Sequence, residues 1–139
     1  MTDFDPTDPA SYKYWAAEHV RFADLDMLGH VNNKAYSTYY ESGRIAYMRA
    51  RGMSDSPEFG MALVRLEIDF RKEILYPATL RIGLRLQRVG RSSLTLACAI
   101  FNGDVCASTS IAILVRFNTR LHAGQAFSDR ERAILEAEL

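Results

Sequence analysis

Ten residues, Asp24 to Asn33, hold two carboxylates, a glycine, an imidazole and two carboxamides. They close the stretch R-F-A-D-L-D-M-L-G-H-V-N-N, Arg21–Asn33, which lies between a short alternating segment and a long helical pattern. A connection that only turns the chain rarely carries that much chemistry, and loops held by rigid elements are where sites tend to lie. The stretch reads as a catalytic loop that ends as a helix N-terminus. A carboxylate can act as a base or nucleophile there. The unpaired N–H groups opening a helix can stabilise negative charge.

The elements that must position this loop follow from periodicity. Upstream, Met1 to about Tyr14 is rich in Asp, Thr, Pro and Ser and reads as a loosely ordered arm. From about Ala16 to Ala23, Glu18, Val20 and Phe22 alternate with His19 and Arg21, a modest strand signal. Downstream, from about Asn33 to Arg51, Ala35, Tyr36, Tyr39, Tyr40, Gly43, Ala46, Tyr47 and Ala50 recur at helical spacing. Asn32 or Asn33 suits the N-cap and Gly52 the left-handed C-terminal cap. Gly43 costs about 1 kcal/mol against Ala inside a helix, so close approach of the helix to a flat surface is the expected reason for it.

After turn signals at Ser54–Gly60 the period becomes two. Val64, Leu66, Ile68 and Phe70 form one alternating set, then Leu80 to Leu86, Leu94 to Ile100, and Val105 to Phe117. Asn102–Gly103 is a strong hairpin signal, with positive φ expected at both positions. Ser128 with Glu131 three residues on makes a capping box, so Ser128–Leu139 reads as a short helix. The resulting class is α+β: an antiparallel sheet of about five strands, one long helix covering its apolar face, and a short C-terminal helix. Ala97, Ala99, Ser108, Ser110 and Ala112 predict a flat second face that packs against another copy, giving a homo-oligomer.

A chain of 139 residues is long enough for one domain with a core and short for two. Seventeen basic and seventeen acidic residues cancel, which argues against a broad nucleic-acid face. There is no apolar run of membrane-spanning length. Cys98 and Cys106 flank the hairpin without a wider disulfide framework, so a cytoplasmic location is expected. Three scattered histidines make a metal site unexpected, and no cofactor is called for.

The element order and the stretch D-L-D-M-L-G-H-V-N-N-K-A-Y-S-T-Y-Y-E-S-G-R together resemble the hotdog-fold acyl-CoA thioesterases of the 4-hydroxybenzoyl-CoA thioesterase superfamily. The resemblance covers roughly Ala16 to Asn118 and is carried by D-x-D-x-x-G-H-V-N-N followed by Y-x-x-Y-x-E-x-x-R. It implies homodimers or homotetramers with acyl sites between subunits, and coenzyme A as part of the substrate. It implies Asp26 as catalytic carboxylate, and the backbone N–H near Asn33 as the donor that polarises the thioester carbonyl. Whether Asp26 attacks directly or activates water stays open. A hotdog dehydratase fits the loop less well, and a non-catalytic acyl-binding or scaffolding hotdog module is the reading from another class.

Each candidate has a plainer role to set against it. Asp26 could be a turn residue, although Asp24 fits that role better. His30 could assist Asp26, bind substrate, or merely tie the loop down. Glu41 is a second candidate carboxylate, since some relatives place theirs on this helix; an ion pair with Arg44 competes. Arg88, Arg91, Ser92 and Ser93 surround Gly90 in a turn that often lies near the nucleotide end of coenzyme A in this superfamily, and arginine suits phosphate. Cys98 reads as core. The tyrosines at 36, 39, 40 and 47 read mainly as core, with some lining an acyl pocket.

Overall fold

The side chain of Asn32 accepts the Lys34 N–H at 3.0 Å and so starts the long helix α1, Asn33–Ala50. Gly52, at φ 70°, supplies the left-handed residue beyond its end. The computed structural model describes residues 3–139. Five strands follow the order β1 (Tyr14–His19), β3 (Thr79–Val89), β4 (Ser93–Asn102), β5 (Val105–Asn118) and β2 (Phe59–Phe70), all antiparallel. A two-residue β6, Ala123–Gly124, pairs with β5, and the helix α2, Asp129–Glu136, closes the chain. This is the expected sheet curled around one long helix.

The tyrosine stripe of α1 is what the sheet encloses. Tyr36, Tyr39, Tyr40 and Tyr47 are buried in one cluster with Ile82, Leu84, Leu96, Cys98 and Ile100. Gly43 behaves as its position predicts. A Cβ there would stand 3.0 Å from Ile82 Cγ2, so its absence lets α1 lie close against β3.

Several expectations about the strands need correction. β1 begins at Tyr14 rather than Ala16, and Phe22 falls in a 3-10 turn, Phe22–Asp24, where it is exposed. The register of β2 shifts between Leu63 and Arg65, so Val64 is a bulged extra residue, 60% exposed. The bulge shifts the phase of the strand, so that Met61 packs on the core before it and Leu66 and Ile68 after it. In the β4–β5 hairpin Asn102 is still a paired strand residue, opposite Val105. Gly103 takes the expected positive φ, 63°, while Asn102 does not.

The small residues expected to share an outer face belong to both faces. Leu96 pairs with Ala112, Cys98 with Ser110 and Ile100 with Ser108, and this set faces α1. Ala97 and Ala99, opposite Ile111 and Thr109, point the other way. Part of that outer face is already occupied by the chain itself. Tyr12, buried and donating its O–H to Pro6 O at 2.6 Å, packs with Trp15, Ala99 and Phe101. The segment read as a loose arm therefore contributes a small second core; its first two residues lie outside the described ones.

Candidate active site

Asp26 to His30 form a tight turn closed by the Leu25–Val31 bridge. The Asp26 N–H donates to His30 O at 2.8 Å, and the Gly29 N–H donates to Asp26 O at 3.1 Å. Gly29 sits at φ 80°, a backbone that side-chain-bearing residues rarely adopt. One further bridge and a backbone hydrogen bond fix the turn to the rest of the molecule. His30 pairs with Leu75, and the Val31 N–H donates to Ile74 O at 2.9 Å. The loop is thus clamped between α1 and the segment joining β2 to β3.

The two aspartates have different surroundings. Asp24 Oδ2 accepts the Arg21 N–H at 2.9 Å and the Tyr39 O–H at 2.5 Å, and Asp24 O accepts the Asn32 N–H. That carboxylate ties the loop to the helix. Burial and then the Asp24 contact push the Tyr39 phenol well above its ordinary range, so it stays a hydrogen-bond donor. Asp26 uses Oδ1 alone for the loop, accepting the Leu28 N–H at 2.9 Å and the His30 N–H at 3.3 Å. Among the described residues its Oδ2 accepts no hydrogen bond. It is a half-buried carboxylate with one oxygen free.

That carboxylate lines an open cleft of about 350 Å³ together with His30, Asn33, Tyr36, Phe70 and Glu73. Tyr36 and Phe70 meet edge to face with ring centres 4.9 Å apart, an apolar wall beside the polar loop. Asn33 is the first helical residue. Asn32 engages the next two N–H groups, Lys34 through its side chain and Ala35 through its carbonyl. Among the described residues the Asn33 N–H, at the mouth of α1, has no acceptor, and the helix dipole there also favours negative charge. His30 is turned toward Glu73, with Nε2 and Oε2 2.8 Å apart.

Asp26, His30 and Asn33 are therefore brought together, and the other candidates are not. Glu41 is exposed on α1 and lines a separate cleft with Arg44; its expected ion pair with Arg44 does not form among the described residues. Arg88, Arg91 and Ser92 lie at the far end of the sheet, roughly 33 Å along β3 from its start near the loop, at about 3.3 Å per residue. There Arg91 O accepts the Phe127 N–H and Ser92 O accepts the Arg116 N–H. Cys98 is core: burial pushes its thiol up to about 12. Glu73 was missed by sequence reasoning because it lies far along the chain, in the charged run Arg71–Glu73 that follows β2. No group of three or more His, Cys, Asp or Glu that could hold a metal ion occurs among the described residues.

Residues 20–133 match the family model of the thioesterase-like superfamily. The chain belongs to that superfamily. A protein of Pseudomonas aeruginosa strain PAO1 shares its fold at a TM-score of 0.84 and 26% identity, with 93% of each chain covered. A thioesterase of Thermus thermophilus, solved with coenzyme A and Zn, is 26% identical at a TM-score of 0.80, covering 91% of this chain and 94% of its own. In Bacillus subtilis the uncharacterised protein YsmA is 29% identical over 128 residues, 90% of this chain and 86% of its own. This thioesterase-like superfamily member thus has the hotdog fold, and thioester hydrolysis is its general chemistry. No helix among the described residues is long and apolar enough to cross a membrane.

Proposed function

We propose that this thioesterase-like protein hydrolyses an acyl-CoA thioester to the free acid and coenzyme A, with Asp26 as the group that acts on the carbonyl carbon. The observation that carries this reading is the asymmetry of the Asp26 carboxylate. One oxygen is fixed by the turn, the other accepts no hydrogen bond among the described residues, and Asp26 lines the same cleft as Asn33, the first residue of α1. A thioester carbonyl lying between them meets a base or nucleophile on one side and a donor on the other. A C–O bond forms, either to Asp26 or to a water it deprotonates, the C–S bond breaks, and the thiol leaves with a proton. Where an acyl–Asp26 anhydride forms, water then hydrolyses it.

The functional unit is a homodimer joined along β2. That strand is twelve residues long, pairs on one side only, and carries Leu63 and Val64 exposed. A two-fold partner pairing along this edge runs antiparallel, so the Met61–Leu63 end of one copy comes beside the Phe70 end of the other. Each Asp26 cleft is then completed by the other copy. Arg88, Arg91 and Ser92 remain our assignment for the coenzyme A phosphates, reached across that interface. Both arginines are exposed and neither forms an ion pair among the described residues.

The test is thiol release across an acyl-CoA panel by wild type and Asp26→Asn. The substitution removes the charge and keeps the shape. We expect kcat to fall at least ~10²-fold, the low end for general acid–base catalysis. Substrate affinity should hold, and Tm should hold or rise because site carboxylates are kept at some cost in stability. Near-normal turnover in the folded variant would move the assignment to Glu41.

A further inference from the structure

Arg44, on the buried side of α1, forms no ion pair among the described residues, and the Glu41 carboxylate that shares its cleft acts on it only through space. The residue is 4% exposed, and Nε and Nη1 make no hydrogen bond. Glu41, one turn back, stays exposed. The near polar neighbours on the sheet are neutral. Burial holds the Cys98 thiol far up its range, even against the pull of Arg44, and Ser110 Oγ beside it is itself buried without a partner. An arginine remains charged even where burial lowers its affinity for the proton. A buried cation with no paired counter-charge is strongly unfavourable, and a good fold has little reason to keep one.

The same side chain lines a cleft of about 270 Å³ between α1 and the first half of β2. Its walls are mostly apolar, with Met48, Phe59, Met61, Leu63 and Leu114, while Glu41 and Arg49 stand at its exposed rim. Ligand sites are commonly apolar clefts with a few placed polar groups that fix orientation. An apolar cleft ending on an unpaired cation suits a molecule with a hydrocarbon body and an anionic end. Resting on the acyl-CoA reading above, we propose that the acyl group this enzyme releases carries a second carboxylate at its far end, and that Arg44 binds it.

The two clefts share no wall within one chain and come together in the β2-paired dimer proposed above. Within one chain Arg44 lies eleven residues beyond Asn33, about 16 Å along the helix at ~1.5 Å per residue. Antiparallel pairing of two β2 edges instead sets the Met61–Leu63 wall of this cleft beside the other copy's Phe70, which walls its Asp26 cleft. A medium-length acyl chain then spans from the thioester to the guanidinium.

The experiment compares matched thioesters that differ only in the far end: adipoyl- with hexanoyl-CoA, suberoyl- with octanoyl-CoA, and sebacoyl- with decanoyl-CoA. Wild type should favour a carboxylated member by at least about tenfold in kcat/KM, as expected for one charge-assisted contact. Arg44→Met should lose that preference through KM, keep turnover of the methyl-ended partner, and hold or raise Tm. Arg44→Lys, which keeps the charge, should retain part of the preference and serves if the methionine variant does not fold. A second readout needs no turnover: free suberate should raise the Tm of wild type and leave Arg44→Met unmoved.

The two readings fail separately. Turnover without end-group preference, and no suberate effect, overturns the Arg44 proposal and leaves the thioesterase standing. Suberate stabilisation of wild type alone, without hydrolysis of any thioester, keeps the anion site and overturns the acyl-CoA reading. Neither effect overturns both. A dimeric wild type that becomes monomeric on Arg44→Met, with preference unchanged, would make the guanidinium an interface residue and also end the proposal.

Discussion

Asp24 and Asp26 stand two residues apart in one loop and differ in which oxygens are engaged. The D-x-D spacing marks both, and turn chemistry alone favours Asp24 as the structural one; the Tyr39 and Arg21 contacts give the physical reason. His30 and Asn33 were legible for the same cause, since they share the loop with Asp26 and reach the same cleft. Glu73 was not, because it meets His30 only after the chain has made the helix and all of β2. Both partners of that pair are partly exposed, so it contributes little to stability, typically ~0.2–1 kcal/mol. We expect its value to lie in aiming the imidazole. Glu73→Gln should therefore leave Tm unchanged and lower kcat/KM by roughly two- to tenfold, the scale of one orienting contact of ~0.5–1.5 kcal/mol. His30→Ala should cost about as much, and the double variant little more, since the two act as a unit. Fully additive losses would mean that Glu73 serves the site independently of His30.

Periodic elements were read well because their signals repeat: the tyrosine stripe of α1, the alternation of β3, β4 and β5, and the Ser128–Glu131 capping box all form. The bulge at Val64 escaped because one inserted residue leaves the alternation intact on each side and changes only its phase. What the capping box is for was equally hidden. Glu131 accepts the Ser128 N–H and also grips Arg116 on β5 with both oxygens, each contact 3.1 Å, with both side chains buried. This fork fastens α2 to the sheet. Burial pushes the Glu131 carboxyl upward, but the Arg116 and Ser128 hydrogen bonds overcome it and leave the group below its ordinary range. A depressed carboxylate contributes stability that is whole above its unfolded pKa, near ~4.3. That contribution is lost as pH falls through the lower folded value. Glu131→Gln strands the Arg116 charge and should cost about 3–5 kcal/mol at neutral pH. Melts followed from pH 7 down past pH ~4 should show the gap between wild type and variant narrowing. A gap that widens in acid would reverse the assignment.

At the scale of the molecule, the sequence pointed to self-association through a small-residue sheet face, and the structure separates that set onto two sides. Ser108, Ser110 and Ala112 are spent on the helix. On the outer face, Tyr12 and Trp15 already cover Ala99 and Phe101. What remains open is an edge. A twelve-residue strand with unpaired backbone groups and exposed apolar side chains is a template for pairing, and proteins that keep one open usually blunt it with charge, proline or a short length. The bulge at Val64 twists this edge but does not shorten it. We therefore expect sedimentation at micromolar concentration to show a dimer of roughly 31 kDa, twice the 15.7 kDa chain. Val64→Lys sets a charge on the edge while leaving the core and the Asp26 loop untouched. It should shift the population to monomer and reduce turnover in step, because each cleft loses the wall that the other copy supplies. Adding protein should restore both together, as mass action requires. A wild type that sediments as a clean 15.7 kDa species with full activity would show that one chain completes its own cleft. The Phe70 and Leu63 surfaces would then need another explanation for being left bare.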